Sequence, residues 1–185
     1  MSNALAYVVS TIFDVVCFLF LARMILQACR ADFYNPISQG IVKATDPFLR
    51  PLRLVIPAYR NFDTSAFLAA WVFEIIGLVL FLAVKSQYLP GTMSLIAYGL
   101  FELLRLLLSV YFFALIIVIV LSFVAPGSYH PAAVLLHQVT EPILAPARRL
   151  IPPIGGLDLS PILVFMILTV VRDYLLPAIF TAVIG

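Results

Sequence analysis

The chain has 185 residues, 64% of them apolar and 11% charged, with a formal net charge of +2 and a mean hydropathy of +1.14. That composition leaves too little polar surface to cover a water-soluble globule of this size, and it excludes the strongly basic face that nucleic acid demands. An all-α membrane protein is expected, with four transmembrane helices.

The first predicted span runs from Ala4 to about Ala28, with Asp14 near its middle and Arg23 near its far end. No Lys or Arg precedes it and it outlasts a signal-peptide core, so it reads as a retained helix. Cys17 and Cys29 stand twelve residues apart, about 18 Å along a helix. That is too far for a disulfide, and packing is the natural role for both. After this span, Asn35 and Pro36 read as a helix cap followed by proline in the first turn. Ile37 and Ile41, one turn apart, then suit a short helix lying on the membrane surface as far as Ala44. Thr45, Asp46 and Pro47 allow a restart, but Pro51 and Pro57 are expected to prevent a long continuous helix and to leave a bent interfacial hinge. Asp63, Thr64 and Ser65 offer the oxygens that open a second span, Ala66 to Val84, interrupted only by Glu74.

Beyond Lys85 lies a short link, and then Leu106 to Ala125, twenty residues without a charge, enough to cross roughly 30 Å of hydrocarbon. His130 and Pro131 repeat the capping device less convincingly. Residues 140–160 then repeat residues 45–65 at an offset of 95 without a gap, and nine of the twenty-one positions are identical. The chain is a duplication, with one unit over residues 1–90 and another over 91–185. The offset lays a fourth span, Ile162 to Ile184, over the second, which supports it despite Arg172 and Asp173 near its middle, each costing about 2.5 to 3.5 kcal/mol on an insertion scale.

Two helices per unit make the copies parallel repeats, so both proline-rich hinges lie on one side of the membrane. Those hinges carry Arg30, Lys43, Arg50, Arg53, Arg60, Arg148 and Arg149, against Lys85 alone in the link. The positive-inside rule therefore puts the hinges in the cytoplasm and both termini outside.

The order of Arg23 and Gln27, Asn35-Pro36-Ile37, Thr45-Asp46-Pro47, Leu49-Arg50-Pro51-Leu52-Arg53, Ile56-Pro57 and Asp63 resembles the YggT family of bacterial and plastid membrane proteins, in two tandem copies. The second copy departs from the pattern at Val118, His130, Glu141 and Ala145, which stand opposite Arg23, Asn35, Asp46 and Arg50. The resemblance implies an integral inner-membrane protein without known catalysis. It also implies a link to osmotic stress tolerance in bacteria, and in plastid relatives to cytochrome assembly and nucleoid distribution.

Phosphate-binding glycine loops, nucleophile elbows, paired cysteines and metal-ligand spacings are all lacking from the sequence, so no enzymatic activity, cofactor or metal is expected. His130 and His137 lack a third ligand. Two groups of charged residues remain as candidates. Asp14, Glu74, Arg172 and Asp173 fall near the middles of their spans. Arg172 is the repeat equivalent of Gly77, one turn from Glu74, so a Glu74–Arg172 ion pair is expected, or else a polar site for a cation or proton. In the hinges, Arg53 and Arg148 are the basic residues identical in both copies. With Arg50 and Arg149 they read either as anchors on anionic lipid headgroups or as a docking surface for other membrane proteins. A homo-oligomer is also compatible with the sequence.

Overall fold

The computed structural model describes residues 2–125, 127–151 and 158–184. The described chain is helical, with α1 Ser2–Ala28, α2 Pro36–Val55, α3 Thr64–Val84, α4 Thr92–Val124, α5 Pro131–Leu150 and α6 Ser160–Val170. A π-helical turn, Val171–Leu175, then leads directly into α7 Leu176–Ile184. Four segments are long and apolar enough to cross a membrane: α1, α3, α4 and the run from α6 through α7. Large apolar side chains such as Ile12, Val72, Ile117 and Met166 lie exposed on these helices, as a hydrocarbon solvent allows and water does not.

The expected bent hinge is corrected. α2 runs unbroken for 20 residues through Pro47 and Pro51, and α5 does the same through Pro142 and Pro146. Interior prolines normally break a helix because they remove an amide donor and crowd the preceding turn. Here side chains brace the turn before the first proline, without replacing the amide bond that Pro47 or Pro142 would have made to the carbonyl four residues back. The Thr45 hydroxyl donates to the Ile41 and Val42 carbonyls at 2.7 and 3.3 Å, and Arg23 donates to Val42 O at 3.0 Å. In the second copy Thr140 donates to the Leu136 and His137 carbonyls at 2.9 and 3.4 Å. Both caps form: Asn35 Oδ1 accepts from Ile37 N at 2.9 Å, and His130 Nδ1 accepts from Ala132 N at 3.2 Å. The third span is also longer than expected, because α4 begins fourteen residues before Leu106 and carries Glu102 and Arg105 within it.

Within the first copy, small residues let α1 and α3 approach closely. Ala66, Ala69 and Ala70 are buried, the Cys17 thiol donates to Ala70 O at 3.4 Å, and Gly77 faces Phe13 so tightly that an added Cβ would lie 2.8 Å from its side chain. The copies join through α4. Gly99 admits Ile75 and Trp71, the Trp71 indole donates to Ile96 O at 3.2 Å, and on the hinge side Asn35 Nδ2 donates to Pro131 O at 2.8 Å. One buried cluster, including Phe20, Leu21, Leu49, Leu103 and Leu135, therefore runs through both copies.

Gly77→Ala is expected to force α1 and α3 apart and to cost about 1 to 3 kcal/mol. It should appear as a lower melting temperature of the detergent-purified protein, while Gly40→Ala, inside α2 with open space for the added Cβ, should not lower it.

Candidate functional site

The hinge side of the first copy is organised around Arg23, a buried guanidinium at the end of α1. Its Nη1 donates to Thr45 Oγ1 at 2.8 Å and to Asp46 Oδ1 at 2.6 Å, and its Nε lies 3.8 Å from Asp63 Oδ2. Asp63 is fully buried. It caps α3 by accepting from Ala66 N at 3.2 Å and also receives Arg53 Nη2. Arg50 closes the group from outside by donating to Asp46 Oδ2 at 3.1 Å. Two carboxylates thus bind three guanidinium groups, fastening α1, α2 and the start of α3 to one another. Burial pushes the Asp46 carboxyl up, but the hydrogen bond and charge of Arg23, with Arg50 in support, outweigh it and hold the group below the usual carboxylate range. The segment between α2 and α3 is fixed too, because Thr64 and Ser65 donate to the Pro57 and Ile56 carbonyls at 2.7 and 2.6 Å.

The second copy solves the same problem with fewer charges. Val118 replaces Arg23 and cannot reach across. Arg148, the equivalent of Arg53, instead holds both carboxylates: its Nη1 donates to Glu141 at 2.7 and 2.9 Å, and its Nε donates to Asp158 Oδ2 at 2.9 Å. Glu141 stands where the first copy has Asp46, and its extra methylene extends the carboxylate toward Arg148. Burial raises the Asp158 carboxyl, but hydrogen bonds from Ser160 and the pairing with Arg148 outweigh it and leave it low.

These contacts revise the expected roles of the four hinge arginines. Arg53 and Arg148 are internal ties. Arg50, with its side chain 77% exposed, and Arg149, which has no ion pair among the described residues, are the ones that face outward. Sequence reasoning missed Arg23, Asp46 and Asp63 as one unit. For Asp63 the available signal was the Arg–Asp spacing shared by both copies, ten residues from Arg53 to Asp63 and from Arg148 to Asp158, whereas Arg23 has no basic counterpart in the second copy to mark it.

Deeper in the membrane, the expected Glu74–Arg172 pair does not form. Arg172 pairs with its neighbour Asp173, Nε to Oδ1 at 2.8 Å and Nη2 to Oδ2 at 3.0 Å. Its guanidinium also lies 4.1 Å over the Phe112 ring. Arginine cannot occupy the space that Gly77 leaves between α1 and α3, so in the second copy it turns onto α4. Glu74 instead meets Asp14 and Glu102 around a shared cleft, with Arg105 and Ser109 on its other wall. Arg105 Nη1 stands 3.7 Å from Glu102. Through Tyr98, Leu78 and Phe81 this cleft adjoins a second one bounded by Gln87 and Pro90 of the link and Ser94 of the first turn of α4. Glu102 was overlooked because it lies before the uncharged window from which the third span was read.

Arg23→Val alone should leave Asp46 to Arg50 and Asp63 to Arg53 and cut the tie from α1 to α2 and α3, a loss of about 1.5 to 3 kcal/mol by the usual worth of charge-assisted hydrogen bonds. Adding Asp46→Glu copies the second unit's solution and should restore part of the melting temperature. A double variant no more stable than the single one would show that Glu141 does not compensate for Val118.

The family model described as CCB3/YggT matches residues 2–84 and again residues 97–179. An uncharacterised protein of Pseudomonas aeruginosa is 42% identical over 172 residues, covering 92% of this chain and 87% of the relative. A Vibrio alginolyticus protein, described as uncharacterised and in the proC 3′ region, is 41% identical, with 89% of each chain covered. The uncharacterised protein YggT of Escherichia coli K12 is 37% identical, over 92% of this chain and 88% of its own length. No solved structure matches the chain. With its two hinge-centred units each matched in turn, the chain belongs to the CCB3/YggT family.

Proposed function

We propose that the chain is a non-enzymatic scaffold or assembly factor of the bacterial inner membrane, supporting tolerance of osmotic and envelope stress. In this reading both hinges face the cytoplasm and the termini face outward, as the basic residues of the hinges favour. One observation carries the proposal: the ion-pair network spends its charges on holding α2 rigidly against α1 and α3. What α2 and α5 then present is a fixed edge of cations and apolar side chains. Leu54 and Val55 are 88% and 80% exposed beside Arg50, and Leu150 is 75% exposed beside Arg149. Such an edge suits anionic headgroups and acidic segments of other membrane proteins, because a pre-ordered surface loses little entropy on binding. In cells lacking the native gene, the Arg50→Ala, Arg149→Ala double variant at normal protein level should restore growth after osmotic upshift several-fold less well than the wild type. If cells lacking the protein tolerate the upshift unaided, the stress role is wrong.

A second reading is favoured by the cleft that joins the link to Asp14, Glu74 and Glu102. Carboxylates at mid-membrane depth reached from one side are suited to taking up a proton or cation, so the chain would conduct ions or regulate their passage. Proteoliposomes under an imposed proton or potassium gradient test this. Flux above that of empty vesicles, abolished by Glu74→Gln, is the expected result, and wild-type vesicles no leakier than empty ones would eliminate the reading.

A further inference from the structure

The run from α6 through α7 is the least covered of the four spans. It packs chiefly on α4 and α5 and leaves one side bare. Ile162, Met166, Val170, Tyr174 and Ala178 follow each other at intervals of four along that side, all exposed. Exposed aliphatic residues need no explanation in a bilayer. Asp173 does, because its side chain is 39% exposed despite its bond to Arg172, at a depth where lipid offers no hydrogen-bond donor. Arg172 satisfies each carboxylate oxygen once, and each has a further lone pair to fill. Beside it, the Tyr174 ring is 71% exposed and carries a phenolic donor. The two polar groups belong to the second copy alone, since their equivalents in the first are Leu78 and Val79, on a helix that α1 and α4 cover. The π-helical turn falls at this point. By widening the helix, such a turn alters the direction of the side chains it carries.

We propose that this face is the contact between two copies of the chain, related by a two-fold axis along the membrane normal. In it, Asp173 of each copy accepts a hydrogen bond from the partner's Tyr174. A two-fold contact requires a surface that is complementary to itself. An acceptor and a donor on adjacent residues of one exposed face meet that requirement, and parallel copies bring equal depths together, so each carboxylate meets a phenol. The aliphatic residues at intervals of four supply the packing on either side, which is what drives helix association where lipid tails remove the hydrophobic incentive.

Cysteine cross-linking in native membranes tests the contact. In a chain carrying Cys17→Ala and Cys29→Ala, Met166→Cys and Val170→Cys should each give a disulfide-linked dimer on mild oxidation, while Val72→Cys, half exposed on α3, should stay monomeric. Tyr174→Phe keeps the ring and leaves the Arg172–Asp173 pair untouched, so the fold should survive. Added to Val170→Cys, it should lower the cross-linked fraction several-fold. Single-molecule photobleaching of labelled protein in native-lipid discs should show two steps for the wild type and mostly one for Tyr174→Phe. Single-step bleaching of the wild type overturns the proposal. So does cross-linking as strong at Val72→Cys, an adduct with a different protein, or a Tyr174→Phe chain that dimerises undiminished.

Discussion

A buried guanidinium at the end of a membrane helix is stable only if carboxylates meet it, and the arrangement of the first copy follows from that condition at Arg23. The acids that meet it come from different places in the chain, Asp46 from α2 and Asp63 from the cap of α3. Satisfying one charge therefore fixes three elements. α2 cannot swing away without leaving Arg23 unpaired, and α3 cannot slide without losing its cap. The same donors bind the turn before Pro47, which ties α2 to the end of α1 at the point where proline weakens the helix's own hydrogen bonding. Removing either partner of such a network is far more damaging than its net contribution to stability would indicate, because the remaining charge cannot return to water.

The duplication offers an internal comparison. At the hinge, the second copy loses the membrane arginine and gains a methylene in its acid, and one arginine then serves two carboxylates. Those three side chains are 36% to 51% exposed, where Asp63 of the first copy is wholly buried. The second hinge is accordingly held by solvent-screened pairs, which are individually weak. In the membrane the contrast runs the same way. Gly77 lets α1 and α3 touch, whereas Arg172 occupies the equivalent position, lies on Phe112 and coincides with a π-helical turn. Equal topology thus coexists with unequal cohesion: the first copy is the tightly closed half, and the second is joined mainly through α4.

Much of this was legible in the residues. Apolar run lengths and the gapless repeat lead to four spans and two parallel units, and Asn35 with Pro36 marks the start of α2 to the residue. The hinges were harder to read. Proline rules are local, whereas the turns before Pro47 and Pro142 are braced by threonine hydroxyls and, in the first copy, by a guanidinium on another helix. Interior charges were legible as costly but not as partnered. Placing Arg172 opposite Glu74 assumed that both copies pack alike, and the volume of an arginine where the first copy has glycine removes that equivalence. Arg53 and Arg148 looked like surface cations because sequence reveals charge and spacing, while inward or outward orientation depends on where Asp63 and Asp158 sit.

The length of α4 has a further consequence. Its 33 residues extend about 50 Å, against roughly 30 Å of hydrocarbon. The other three spans are shorter, at 21 to 26 residues. Hydrophobic mismatch of this size is relieved by tilt, by thickening of the surrounding lipid, or by running the helix ends into the headgroups, at a cost of fractions of a kcal/mol for each ångström. Since α4 is also the helix through which the two copies meet, the joint between them lies on the span with the greatest mismatch. The Gly99 contact with Ile75 and Trp71 therefore ties α3 of the first copy to the span whose length fits the bilayer least.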